Sequence, residues 1–390
     1  MRTRTCFARR LFTLLPLLAP IAAPTLCACH VAREPDRASP ESVVASAPHG
    51  RRTENVVLVL FDGLRWQEVF AGADAERIDA IGDEAERERV RREYWRDDVS
   101  DRRAVLMPFL WTQIATEGQV FGNVERGSSV RCANGLKFSY PGYSEMVVGF
   151  HDPRIDSNAK RENPNASVLE WLHGKPAFAG QVAVVGVWDV VPSIVRAQRS
   201  GLFVHAAFEP LELTPMRPTA RLLNELRSDV TSPWDSMPYD AFAFHTAREV
   251  LDARSPRVLW VTFGETDEWA HAGDYARYLD AARRTDEFVA RLWVALQAHA
   301  RYRDRTTLLV STDHGRGDGP RWTDHGKDVD GAEQIWIAAL GPDTPALGER
   351  GDTPALTQGQ IAATLAALLG EDWCGAEPRA AGAIRSIVAR

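Results

Sequence analysis

Three apolar runs in this chain end in residues able to bind a metal ion, and that coincidence is its strongest chemical signal. Asp62 closes VVLVLFD and precedes Gly63, which frees the backbone to turn. Asp267 and His271 follow RVLWVTFGET four residues apart, a spacing that puts both on one face of a helical turn. Asp313 and His314 follow TTLLVST, and His325 stands in the nearby WTDHG. Each taken alone has an ordinary reading: an Asp-Gly turn, a surface Asp/His pair, two neighbours pointing different ways. Together Asp62, Asp267, His271, Asp313, His314 and His325 offer six nitrogen or oxygen ligands, three for each of two ions. Three protein ligands with an open position is the arrangement of a catalytic zinc, whereas structural zinc is closed by four. Two such ions about 3.5–4 Å apart can hold both the attacking and the leaving oxygen of an in-line displacement.

A nucleophile candidate is Ser139 in NGLKFSYPGYS. A Pro-Gly turn and then the short helical pattern SEMVVG are expected to follow it, so its hydroxyl falls near a helix N-terminus, where backbone N–H groups favour an anion. A turn or capping serine is the everyday use of such a residue.

Positioning these groups requires strands that end together. From Asn55 onward short apolar runs alternate with amphipathic stretches, which predicts an α/β fold: a central, mostly parallel sheet with helices on both faces. The expected strands are 56–62, 182–188, 257–263, 306–312 and 335–341, all continuous apolar runs as for strands covered on both sides. In such sheets ligands bind at the carboxyl ends of the strands, where the six candidates fall. Helices are expected in 108–118, 167–174, 218–230, 239–255, 274–302 and 357–370. The segment 73–103, dense in both charge signs, reads as a solvated helical excursion or cap insertion. A second insertion is expected near 197–240.

The chain has 390 residues, 45% hydrophobic and 25% charged, the composition of a folded globular protein. Its net charge is −7, and because Arg2, Arg4, Arg9 and Arg10 precede any acid, the remainder is more acidic still. Binding to a nucleic-acid duplex is not expected of such a surface. Residues 1–29 combine that basic start with an apolar stretch too short and too proline-rich to span a membrane, and read as a secretory signal. Leu26-Cys27-Ala28-Cys29 resembles a bacterial lipobox, so export and a lipid anchor at Cys29 are expected, in the periplasm or cell envelope. Residues 30–54 read as a flexible tether, leaving 55–390 as one metallohydrolase domain. Cys132 and Cys374 remain in the body, and an oxidising compartment would let them pair. Nothing in the sequence speaks to oligomeric state.

Taken together, VVLVLFDGLRW, FSYPGYSEMVVGF, TDEWAHAG, STDHGRG, WTDHG and QIAATLAALLG resemble the alkaline phosphatase superfamily, and most closely its nucleotide pyrophosphatase/phosphodiesterase-like branch. The resemblance runs from about Asn55 to Gly370. It implies two zinc sites, with manganese as the alternative metal. Asp62, Asp313 and His314 would form one, with Ser139 bound there as an alkoxide, and Asp267, His271 and His325 the other. It implies a phosphoseryl intermediate and an Asn about twenty residues beyond the nucleophile that donates to a phosphate oxygen. Asn158 is the nearest positional match, with Asn163 and Asn165 as rivals. Lys137 stands close enough in sequence to add charge, or is a surface lysine.

Departures from the family pattern bear on substrate. Thr262 occupies the place of the glutamate that completes a third, magnesium site in the type phosphatases. Val187-Trp188-Asp189-Val190 lacks the Lys-x-Arg pair of another monoesterase group. A small-molecule phosphodiester or pyrophosphate is therefore the expected substrate, with a phosphomonoester as the alternative, although Arg154, Arg161 or Arg196 could restore charge from a loop. The sulfatase motif lacks its Arg after Ser139-Tyr140-Pro141-Gly142-Tyr143. Phosphoglycerate mutase activity fits neither the export signal nor the absence of a large insert. An inactive surface-binding relative would have no need of all seven positions. Trp188, Trp269 and Trp322 could stack on a substrate ring, or simply pack in the core.

Overall fold

The computed structural model describes residues 50–388. The signal-like segment with Cys29, and the tether as far as residue 49, lie outside the described residues. No helix among those described is long and apolar enough to cross a membrane.

Among the described residues eleven strands form two sheets: β1 (Asn55–Phe61), β2 (Gln119–Phe121), β3 (Val130–Arg131), β4 (Val182–Gly186), β5 (Phe203–Ala206), β6 (Val258–Phe263), β7 (Thr306–Thr312), β8 (Gln334–Ile335), β9 (Ile337–Leu340), β10 (Gly348–Glu349) and β11 (Leu356–Thr357). The large sheet has the order β10-β2-β9-β7-β1-β6-β4-β5. Its central pairings, β7 with β1, β1 with β6, β6 with β4 and β4 with β5, are all parallel. Val56, Leu58 and Leu60 of β1 enter one apolar cluster and Val57, Val59 and Phe61 the other. Both faces are thus covered, which is why the strand reads as an unbroken apolar run.

Two expectations need correction. The run 335–341 is not one parallel strand: Trp336 divides it into β8, in the small sheet, and β9, antiparallel to β7. The stretch 197–240 is not wholly an insertion, because β5 pairs with β4 as the edge of the main sheet. An apolar run carries no information on strand direction, and FVHA is too short to stand out by periodicity.

Five helices matter for the site: α1 (Ser139–Val148), α2 (Asp240–Arg254), α3 (Glu265–His271), α4 (Tyr275–Ala298) and α5 (Gln360–Leu368). Tyr143 and Val147 of α1 pack with Leu365 of α5 on one face of the sheet. Phe244 of α2 and Leu279 and Phe288 of α4 pack on the other, together with Ile78, Val90 and Leu106 from the charged segment 73–103. Three helices make up that segment, Ala75–Asp79, Glu84–Tyr94 and Val99–Leu106, each started by an aspartate that accepts backbone N–H groups.

Register brings the site together. Phe61 pairs with Phe263 on one side and Thr312 on the other, so β1, β6 and β7 end level and release Asp62, Gly264 and Asp313 at one edge.

Candidate active site

At that edge Asp62, Asp313 and His314 converge within reach of a single ion. Asp62 Oδ2 accepts the Tyr143 hydroxyl at 2.9 Å, and Asp313 Oδ1 accepts the Gly63 N–H at 3.0 Å. His314 Nδ1 lies 2.9 Å from the Gly315 carbonyl, a bond that requires the proton on Nδ1 and leaves Nε2 with its lone pair. Nε2 is 3.4 Å from both Asp62 Oδ1 and Asp313 Oδ2. All three of these facing atoms are buried without a hydrogen-bond partner. Leaving them unpartnered would cost about 1–3 kcal/mol apiece. Two carboxylate oxygens and an imidazole nitrogen are the donor set of zinc, so the residues fit a divalent cation.

The second group adjoins the first. His271 Nε2 lies 3.3 Å from Asp267 Oδ2 and 2.9 Å from His325 Nε2. His325 Nδ1 is 3.1 Å from the Lys137 carbonyl, which again turns Nε2 toward the centre. The His325 ring stacks on His314 with centroids 4.0 Å apart, and Asp267, His314 and His325 themselves form a close set. All six sequence candidates therefore share one pocket. Their division into two threes rests on the resemblance rather than on distance, since His314 borders both groups.

The electrostatics match. Burial, and then the Asp267 charge, push the Asp62 carboxyl well above the usual carboxylate range, and burial followed by Asp62 does the same to Asp313. Burial also works to raise Asp267, but Arg316, His271 and His325 outweigh it and hold this carboxyl well below its ordinary value. Burial, then His314, lowers His325 to about 2, which favours the neutral ring that a metal ion would need.

Ser139 opens α1 and is buried. Pro141 follows in the first turn, where a missing N–H is no loss, and Gly149 at φ 97° closes the helix by donating to Glu145. The turn after Ser139 touches the first ligand group: Tyr143 binds Asp62, and Gly142 lies so near Asp313 that a Cβ there would stand 2.5 Å from the Asp313 carbonyl oxygen. The loop before Ser139 touches the second, through Lys137 and His325. Glu145 fixes that loop by accepting the Ala133 and Asn134 N–H groups, and Asn134 Oδ1 accepts those of Leu136 and Lys137.

Asn158 Oδ1 accepts the Tyr140 N–H at 2.9 Å, beside Ser139. Its rivals are engaged elsewhere: Asn163 with Ser144, Asn165 with Asp152. The amine of Lys137 is taken by the Val329 carbonyl and Glu333, so it is not turned toward Ser139. Arg154 pairs with Asp152, Arg196 faces Glu170 and Arg161 lies 4.0 Å from Asp156. Trp188 packs on Tyr143, Trp269 on Trp234, and Trp322 on Tyr275 and Tyr278. Cys132 and Cys374 are both free thiols.

Sequence reasoning assigned nothing to Tyr143, Glu145 or Arg316. The signal for Tyr143 was available: four residues beyond Ser139 at a helix start is the same helical face. Beside His325 an open groove of about 500 Å³ runs past Leu136, Phe138, Asp156, Arg321 and Lys327.

The fold is alkaline-phosphatase-like, and the family match below makes the chain a hydrolase of phosphate esters. Residues 139–334, half of the chain, match the sequence profile of the family described as type I phosphodiesterase / nucleotide pyrophosphatase, and the chain belongs to that family. No curated protein matches it. Among solved structures, the alkaline phosphatase PafA is similar over 88% of this chain and 100% of its own, with a TM-score of 0.56 at 10% identity. A phosphonate monoester hydrolase from Silicibacter pomeroyi is similar over 86% of this chain and 76% of its own, with a TM-score of 0.52 at 14% identity. At these identities the likeness is one of fold.

Proposed function

We propose that this protein is an exported two-metal hydrolase of small phosphodiesters or pyrophosphates, with zinc in both groups and Ser139 as nucleophile. The observation that carries the reading is an acceptor-only pocket of buried, unpartnered atoms set against the first turn of the helix that Ser139 opens. Asp62, Asp313 and His314 would hold one ion and Asp267, His271 and His325 the other. Bound there, such ions supply Lewis acidity, which makes a serine hydroxyl a usable nucleophile at neutral pH and stabilises a departing oxygen.

Ser139 Oγ attacks phosphorus as the P–O bond to the leaving alcohol breaks, forming a phosphoseryl ester. Water then attacks the same phosphorus, the Ser139 O–P bond breaks and the serine is restored. The helix N-terminus contributes less to the anion than its position suggests, because Tyr140 spends its N–H on Asn158 and Pro141 has none. Asn158 passes that donor on: with its carbonyl oxygen held by Tyr140, its NH₂ group is left to bond a non-bridging phosphoryl oxygen. Lys137, Arg154 and Arg196 are already paired with acids, which favours a singly charged phosphoryl group over a monoester dianion. Export and a lipid anchor at Cys29 rest on residues 1–29 of the sequence.

The test is the metal content of the purified mature protein, with hydrolysis of bis(p-nitrophenyl) phosphate, p-nitrophenyl phosphate and p-nitrophenyl sulfate. About two zinc ions per chain and a preference for the diester are expected. Ser139→Ala should lose activity by about 10⁴-fold or more with zinc retained. A variant that kept most of its activity would sink the nucleophile assignment, and a far faster monoester rate would make the protein a phosphomonoesterase.

A further inference from the structure

Arg316 is fully buried, and every nitrogen of its guanidinium is bonded to a segment that carries a candidate ligand. Nε donates to the Gly63 carbonyl at 3.3 Å, next to Asp62. Nη2 donates to the Asp267 carbonyl at 3.0 Å and to Asp267 Oδ1. Nη1 donates to the carbonyl of Thr323, two residues before His325. Arg316 itself stands two residues after His314. The exits of β1 and β7, the helix α3 and the loop before His325 are therefore fastened by a single planar group.

Desolvating a guanidinium is costly, and a charge at this depth persists only where its N–H groups are all satisfied. A lysine would carry the charge but not the fork, because three donors on one nitrogen cannot reach acceptors set around a planar group. The contact with Asp267 also sorts that carboxylate. Oδ1 is held by Arg316 on the side where it lies 3.7 Å from His314 Nε2 and 3.9 Å from His325 Nε2, while Oδ2 is turned to His271 at 3.3 Å. No side chain of the Asp62–Asp313–His314 group bonds Arg316 directly: their bonds run to Tyr143, Gly63 and Gly315, and Arg316 reaches them only through the Gly63 carbonyl.

We propose that Arg316 is a positioning residue that sets cation affinity at the Asp267–His271–His325 group and leaves the other group largely alone. The inference rests on the two-metal reading above. It goes beyond that reading in assigning unequal control of the two ions to one residue outside the ligand set.

Zn²⁺ alone is the probe, titrated by calorimetry with a competing chelator into the metal-free wild type, Arg316→Met and Arg316→Lys. The melting temperature of each metal-free protein and kcat and KM for bis(p-nitrophenyl) phosphate are measured alongside. Two binding steps are expected for the wild type. In Arg316→Met one step should weaken by about 10–100-fold, the usual effect of losing a ligand's supporting bond, with the other unchanged and the loss falling on kcat more than KM. Arg316→Lys should show the same selective weakening, and it carries the test if the Met variant does not fold. Variants whose two steps weaken equally, or not at all, overturn the inference while leaving the metal reading intact. A wild type that binds no zinc overturns both.

Discussion

The side-chain oxygen of Asn158 accepts the backbone N–H of Tyr140 at 2.9 Å, so an exposed loop residue is oriented by the residue next to Ser139. Because that contact uses the acceptor end of the amide, the donor end is what the proposed mechanism offers to substrate. Asn158→Ala should therefore lower kcat by about 10²–10³-fold, the scale for one oxyanion donor, with zinc content unchanged. Asn158→Asp should be slower still, since it presents negative charge where a donor stood. Steady-state kinetics on the diester checks both. Unaltered rates in the alanine variant would hand the role to another residue.

Tyr143 makes a sharper case for positioning. Burial, and then the Asp62 charge, push its phenol well above the usual range, so it is a permanent donor to Asp62 Oδ2. Tyr143→Phe keeps the ring that packs on Trp188 and Trp260 and removes only that bond. Zinc should bind the first group about 10–100-fold more weakly, measurable by chelator competition. An unchanged affinity would show the hydroxyl to be incidental.

The helix bearing Asp267 and His271 begins at Gly264, which has no side chain with which to cap it. Asp240 does so from another helix: its two carboxylate oxygens accept the Gly264 and Glu265 N–H groups at 2.7 and 3.1 Å, and Glu265 accepts the Asp240 N–H at 2.8 Å. Asp240→Ala should cost about 1–3 kcal/mol of unfolding free energy by leaving buried donors unmet. It should also lower zinc occupancy at His271. Urea melts and metal analysis read the two effects, and a variant as stable as the wild type would refute the cap.

How much of this was legible beforehand follows from how far each signal reaches along the chain. Asp62, Asp267 and Asp313 could be read as neighbours because β1, β6 and β7 are unbroken apolar runs, and parallel strands end at one edge. Ser139 was singled out for a Pro-Gly turn that the structure does not form: the helix starts at Ser139 itself, with Pro141 and Gly142 inside its first turn. Arg316 was not legible, because its partners at Gly63, Asp267 and Thr323 come from separate segments and no periodicity links them. Nor was the fate of Lys137: two residues before Ser139 it reads equally as substrate charge or as a surface lysine until the Val329 carbonyl and Glu333 are seen to hold it. The reversal of β9 was hidden for a related reason, since direction depends on the loops that precede a strand and not on its own side chains.

One buried acid outside the site ties stability to pH. Asp286 on α4 accepts the Phe109 and Leu110 N–H groups at 2.7 and 3.0 Å, and burial raises its carboxyl to about 7. Unfolded, the same group titrates near 4. Between those values the unfolded chain ionises while the folded one holds its proton, so the folded state binds more protons and loses stability as pH rises. The contribution is whole below about pH 4 and gone above about pH 7. Asp286→Asn abolishes the titration while keeping one acceptor, and its other deficits are independent of pH. The wild type should therefore be more stable relative to this variant at pH 4.5 than at pH 7.5, by on the order of a few kcal/mol. Denaturant unfolding of both proteins, metal-free so that zinc release does not enter, measures the difference. A gap that stays constant across that range would mean the Asp286 carboxyl is ionised throughout, held by its two backbone donors against the cost of burial.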